Sequence, residues 1–97
     1  MKTTIEFGNK SATLTLKNAT EWTGGDNVRV YHEVESDNKK VRPISKFYEV
    51  LSGDSRDHKI EVEGRVFAVE LGFCESKTKR SAALEAAEDL AKQVVAA

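Results

Sequence analysis

Apolar residues recur at helical spacing without ambiguity in only one place, near the C-terminus. There Ala83, Leu84, Ala87, Leu90, Ala91, Val94 and Val95 form one stripe, and Ser81, Glu85, Glu88, Asp89 and Lys92 form the opposite face. Before that stripe the apolar residues mostly alternate in short segments separated by turn-forming residues, the period of a strand with one face buried. A chain with this order can bury both patterns in one way: an α+β fold, with an antiparallel meandering sheet of five or six strands and one C-terminal helix packed on one face. The helical stripe is rich in alanine, so the helix can lie close to the sheet.

The segments follow from the alternation. Residues 3–7 and 12–16 place Ile5 and Phe7, then Leu14 and Leu16, on single faces, and Gly8-Asn9-Lys10 supplies turn chemistry between them. Residues 21–27, which include Thr23-Gly24-Gly25-Asp26-Asn27, read as a loop by composition. Val28, Val30, His32 and Val34 share one face of a third strand, with Arg29, Tyr31 and Glu33 on the other, and residues 36–40 form a polar turn. Residues 43–51 fit two periods. Ile44, Phe47, Tyr48 and Leu51 fall at helical spacing after Pro43, while Phe47-Tyr48-Glu49-Val50-Leu51 has the aromatic and β-branched character of a strand. Residues 53–58 are a polar loop, residues 59–63 and 65–71 form a hairpin about Glu63-Gly64, and the helix begins near Ser76 or Lys77.

Length and composition limit the function classes. At 97 residues the chain forms one domain, and 39% hydrophobic with 32% charged residues is ordinary globular material, which excludes a disordered segment. No run approaches the roughly 18 apolar residues of a spanning helix, and residues 1–6 lack the apolar centre of a signal peptide. The expectation is a cytoplasmic protein with no membrane partner. Cys74 is the only cysteine, so neither an intramolecular disulfide nor a cysteine-based zinc site can form. His32, on the apolar face of its strand, and His58, in a charged loop, have no third ligand spaced to join them; His32 reads as structural, and no metal or cofactor is expected. Cys74 has no adjacent His or Asn motif and there is no Gly-rich phosphate loop, so the chain does not read as an enzyme.

Two features point to binding. Lys77-Thr78-Lys79-Arg80 puts three positive charges where the helix begins, and the first acid after them is Glu85. The helix macrodipole disfavours cations there by roughly 0.3–1 kcal/mol each, so this arrangement suits a negatively charged ligand. Against this stand a net charge of −1 and the alignment of Arg80 with Leu84, Ala87 and Ala91, which turns it toward the packed face and an ion pair in the sheet. The second feature is Trp22, the only tryptophan, set in the presumed loop beside Gly24 and Gly25. A tryptophan there either plugs the end of the core, its commoner fate, or anchors a protein partner.

Residues 46–95 resemble the β-β-β-α part of a double-stranded RNA-binding domain. The resemblance is carried by Phe47-Tyr48-Glu49-Val50, the loop Gly53-Asp54-Ser55-Arg56-Asp57-His58-Lys59, the hairpin about Glu63-Gly64, and Ser76-Lys77-Thr78-Lys79-Arg80 before Ala82-Ala83 and Ala86-Ala87. It implies a strand for residues 43–51. It also implies that Lys77, Lys79 and Arg80 contact phosphates across the major groove while His58 and Lys59 approach an adjacent minor groove. That family opens with a helix, whereas residues 1–42 read as strands. The sequence thus yields a small non-catalytic binding module, with duplex RNA as the ligand the resemblance implies. The alternative is a protein-interaction module or inhibitor, of the kind mobile genetic elements carry, acting through a sheet edge or a Trp22 patch.

Overall fold

The computed structural model describes residues 1–72 and 77–97. Six strands, β1 (Lys2–Phe7), β2 (Lys10–Gly24), β3 (Asn27–Ser36), β4 (Ile44–Ser52), β5 (His58–Val62) and β6 (Arg65–Leu71), precede one helix, α1 (Lys77–Ala96). The strands form one antiparallel sheet in the order β1-β2-β3-β4-β6-β5, curled into a half-barrel. Only the last two strands depart from a meander. No helix among the described residues is long and apolar enough to cross a membrane.

The helix closes the open side of the half-barrel, lying along β1 at one edge of the sheet and reaching β5 and β6 at the other. Ile5, Leu14, Phe47, Phe67 and Val69 point inward from the sheet to meet Ala83, Ala87, Leu90 and Ala91 of α1, all of them buried. Four alanines on the packed face, Ala83, Ala86, Ala87 and Ala91, keep the helix close to the strands. Phe47 and Phe67 stack across β4 and β6 with ring centres 5.7 Å apart. Residues 43–51, which carry two periodicities, lie almost wholly in β4. The strand places the adjacent Phe47 and Tyr48 on opposite faces, both buried, and leaves Leu51, the last member of the helical stripe, exposed.

One charge pair lies on the inner face. Arg65 donates from Nε and Nη2 to the two carboxylate oxygens of Glu49, at 2.8 and 2.7 Å, in the two-point geometry that a guanidinium offers a carboxylate. The Glu49 side chain is 9% exposed and that of Arg65 41%. His32 is also on this face, edge-on to Phe47 at 5.7 Å, with a buried Nε2 that has no hydrogen-bond partner among the described residues. Burial holds its imidazole below the ordinary histidine range, and the nearby Glu49 opposes that shift only in part.

The sequence reading of residues 21–27 as a loop needs a correction. Residues 21–24, taken for a loop, continue β2, and the turn is only Gly25-Asp26. Trp22 and Thr23 favour strands, and they pair with Arg29 and Val28 of β3, which outweighs the breaker signal of Gly24. The opening of α1 at Ser76 and the single Cys74 lie outside the described residues.

The two halves of the Glu49–Arg65 pair should not be equivalent. Arg65→Met leaves a buried carboxylate without a partner and is expected to lower stability by about 3 kcal/mol. Glu49→Gln leaves a guanidinium that already reaches water and should cost less. Urea unfolding of both variants measures the difference.

Candidate interaction site on the second and third strands

β2 has fifteen residues and β1 only six, so the two strands pair only along the first part of β2. Their register ends at Lys2 opposite Thr15, with one further bond from the Leu16 amide to the Met1 carbonyl. Beyond that point β2 is joined, among the described residues, to β3 alone. The pairing with β3 shifts by one residue between Leu16 and Ala19, a β-bulge at Lys17 and Asn18. Asn18 donates to Glu33, and Lys17 sits 3.7 Å from Glu35, so both bulge side chains are tied to β3.

The bulge decides what the distal arm displays. It restores the inward direction at Ala19, so that Thr20 and Trp22 turn outward, across from Tyr31 and Arg29. All seven residues 17–23 are exposed. Trp22 itself is 45% exposed, which corrects the expectation that it plugs the core; the arm lies beyond the part of the sheet that α1 covers. An added Cβ at Gly24 would collide with the six-membered ring of Trp22, so the missing side chain lets the indole lie along the strand.

Behind the indole is a rack of aromatic and guanidinium groups. Arg29 lies 5.6 Å from the Trp22 ring centre and 4.9 Å from that of Tyr48. It donates from Nη1 to the Tyr31 hydroxyl at 3.1 Å and from Nη2 to the Asp54 carbonyl at 2.9 Å. The bond to Tyr31 raises the Arg29 pKa above its ordinary value. Tyr31 meets Trp22 edge-on at 6.4 Å and Tyr48 at 4.8 Å.

Tyr48 anchors the rack from beneath. It is fully buried, and its hydroxyl bonds both Ser55 Oγ and Asp57 Oδ2. A phenol has one proton, and the Asp57 carboxylate can only accept, so Ser55 donates to Tyr48. Burial and then the bond to Asp57 push the phenol pKa up. Asp57 N in turn donates to Ser55 Oγ, which ties residues 55–57 to β4.

The residues singled out from the sequence are distributed differently. Lys77 and Arg80 are exposed in the first turn of α1, a turn with no acid, and no acidic partner meets them among the described residues. Arg80 thus does not form the ion pair with the sheet that its position in the stripe implied. Lys79 is half-buried, its ammonium 5.2 Å from the Phe7 ring centre. His58 is exposed and opposite Val69, near the end of β6 from which the chain passes to α1. Lys59, the next strand residue, turns to the other face and donates to Asp54 at 2.8 Å. That bond is the main reason the Asp54 carboxyl is held below its ordinary range. The structure therefore brings His58 to the end of the molecule where α1 begins, and it separates Lys59 from it. Among the described residues no group of three or more His, Cys, Asp or Glu side chains is arranged to hold a metal.

Arg29, Tyr31 and Tyr48 were absent from the site residues read from the sequence. The available signal was the outward face of the third strand, where Arg29 and Tyr31 alternate with Val28, Val30 and His32. Comparison with known proteins places no family on this chain: no protein-family model, no curated protein and no solved structure matches it.

Tyr48→Phe removes the hydroxyl that both Ser55 and Asp57 use. The expected loss is about 1–3 kcal/mol, the cost of leaving buried polar groups unpaired. The Trp22 emission spectrum should change as well, because Arg29 loses the loop that fixes it. Thermal unfolding with intrinsic fluorescence reads both.

Proposed function

We propose that this chain is a non-catalytic protein-binding module that engages its partner through the outer face of β2 and β3, centred on Trp22. The single observation that carries this reading is a 45%-exposed tryptophan held on a pre-formed base of Arg29, Tyr31 and Tyr48. Trp, Tyr and Arg are the residue types enriched at interface hot spots. Their rotamers are fixed here before any partner arrives, which lowers the entropic cost of association. Two lysines on this face are paired within the chain, Lys17 with Glu35 and Lys59 with Asp54. With a net charge of −1, this surface favours shape and aromatic contact over attraction to a polyanion.

The test uses peptide ligands selected against the folded chain from a displayed random library. Trp22→Ala should weaken them by about 30-fold, close to 2 kcal/mol, while the chain stays folded at the assay temperature, and raising salt from about 50 to 200 mM should change affinity little. Equal affinity for the wild type and Trp22→Ala contradicts the reading.

A second reading rests on the first turn of α1, where Lys77 and Arg80 are exposed and meet no acidic partner among the described residues. In that reading the chain holds duplex RNA through Lys77, Lys79 and Arg80, with His58 at the same end. Labelled duplex RNA, compared with duplex DNA and single strands at about 50 and 200 mM salt, tests it. The reading requires duplex-selective binding that collapses at the higher salt and is lost when Lys77, Lys79 and Arg80 become Glu. Absence of binding at the lower salt, or its survival in the triple variant, contradicts it.

A further inference from the structure

We propose that the free edge of β2 over residues 19–23 is a strand-addition site, and that its occupant is an extended segment of a partner protein carrying a basic residue opposite Glu21 and an apolar residue beside Trp22. This deepens the Trp22 reading and rests on it for the side-chain anchor.

The direction of the backbone groups follows from the turn. Gly25, at φ 59, and Asp26 make a two-residue connection closed by Gly24 opposite Asn27, and in such a hairpin the closing pair exchanges hydrogen bonds. Alternate residues then do the same, so Gly24, Trp22 and Thr20 point their amides and carbonyls toward β3. Ala19, Glu21 and Thr23 point theirs away, into the space that β1 would occupy if it were longer. β1 stops opposite Thr15, and residues 17–23 are exposed along their whole length.

The other outer edges are treated differently. At the edge of β1, the Gln93 side chain accepts from the Lys2 amide at 2.9 Å and donates to the Lys2 carbonyl at 2.7 Å, taking the place of a neighbouring strand. β5 is only five residues long and carries Lys59 and Glu61 on its edge. Shortness, charge and covering are the usual protections against edge pairing. Residues 19–24, Ala-Thr-Glu-Trp-Thr-Gly, have no lysine and no proline, residues 19–23 are exposed with no covering strand among the described residues, and the threonines and tryptophan favour strands.

Charge selects the occupant. Glu21 is the only charged residue from Ala19 to Gly25. If a second copy of the chain were added antiparallel, the register that overlaps the whole edge would set Glu21 directly against Glu21, an unfavourable cross-strand pair. A basic residue at that position is favourable. Its neighbour in the added strand would then face Trp22 in a non-hydrogen-bonded pair, where side chains approach most closely. Main-chain bonds would supply the affinity, and these two side-chain positions the selectivity.

The test uses a fluorescein-labelled heptapeptide with blocked ends that alternates valine and threonine around one central lysine, titrated into the full chain by anisotropy. Glu21→Pro removes an outward amide while leaving Thr20, Trp22 and Gly24 to hold β3, a position where an edge strand tolerates proline. It should weaken the peptide about tenfold, whereas Glu21→Gln should weaken it less. The same peptide N-methylated at alternate residues should not bind, and this control alters nothing in the protein should Glu21→Pro fail to fold. Full-strength binding by Glu21→Pro or by the N-methylated peptide overturns the proposal. So does failure of the parent peptide to bind, or a dimer of the free chain that Glu21→Pro dissolves, which makes a second copy the occupant. Loss of binding in Trp22→Ala with none in Glu21→Pro leaves the Trp22 face standing and removes the edge; the reverse keeps the edge and removes Trp22.

Discussion

The mismatch in length between β1 and β2 is the constraint on which the rest of this structure depends. Over Lys10 to Leu16, β2 is an interior strand with alternate residues Ala12, Leu14 and Leu16 buried beneath the helix. Past Leu16 it has a partner on one side only. The bulge at Lys17 and Asn18 marks the change: without it, a strict alternation would send Trp22 inward and Glu21 outward. One inserted residue thus converts a core strand into a display strand within a single element.

A displayed tryptophan is useful only if it is held, and the half-barrel supplies the support. Tyr48 is fully buried on the face away from α1 because residues 55–57 fold over it, and Arg29 bridges that loop to the arm through the Asp54 carbonyl. The inner face of the same strands is stabilised separately by Glu49, Arg65 and the helix-facing apolar residues. Each strand therefore serves two layers. The inner layer fixes the sheet, and the outer layer fixes the orientation of Trp22. Substitutions in the outer layer can change the orientation of Trp22 while the inner-face packing is kept.

The architecture was legible in the sequence because its signals are local. The helical stripe of Ala83, Leu84, Ala87, Leu90, Ala91 and Val94, the alternation of Val28 to Val34, and the Glu63-Gly64 turn each appear within a few residues. The distal arm was not legible. Thr23-Gly24-Gly25-Asp26-Asn27 has the composition of a loop, and only pairing with β3 shows that Gly24 is still strand and that the turn is two residues long. The support of Trp22 was hidden for the same reason. Arg29 meets Tyr48 only because β4 lies beside β3, and Ser55 reaches the Tyr48 hydroxyl only because the loop after β4 folds back. The basic opening of α1 was read from charge alone. The structure leaves Lys77 and Arg80 exposed, seats Lys79 on Phe7, and turns Lys59 to Asp54.

The open edge of β2 is most directly tested by amide hydrogen exchange in the free protein, resolved residue by residue from Ala19 to Gly24. An arm paired on one side only predicts alternation: slow exchange at Thr20, Trp22 and Gly24, whose amides are bonded to β3, and fast exchange at Ala19, Glu21 and Thr23. Uniform protection across all six amides would mean that the edge is already covered. Uniformly fast exchange would mean that the arm is not a strand, and either pattern contradicts the account.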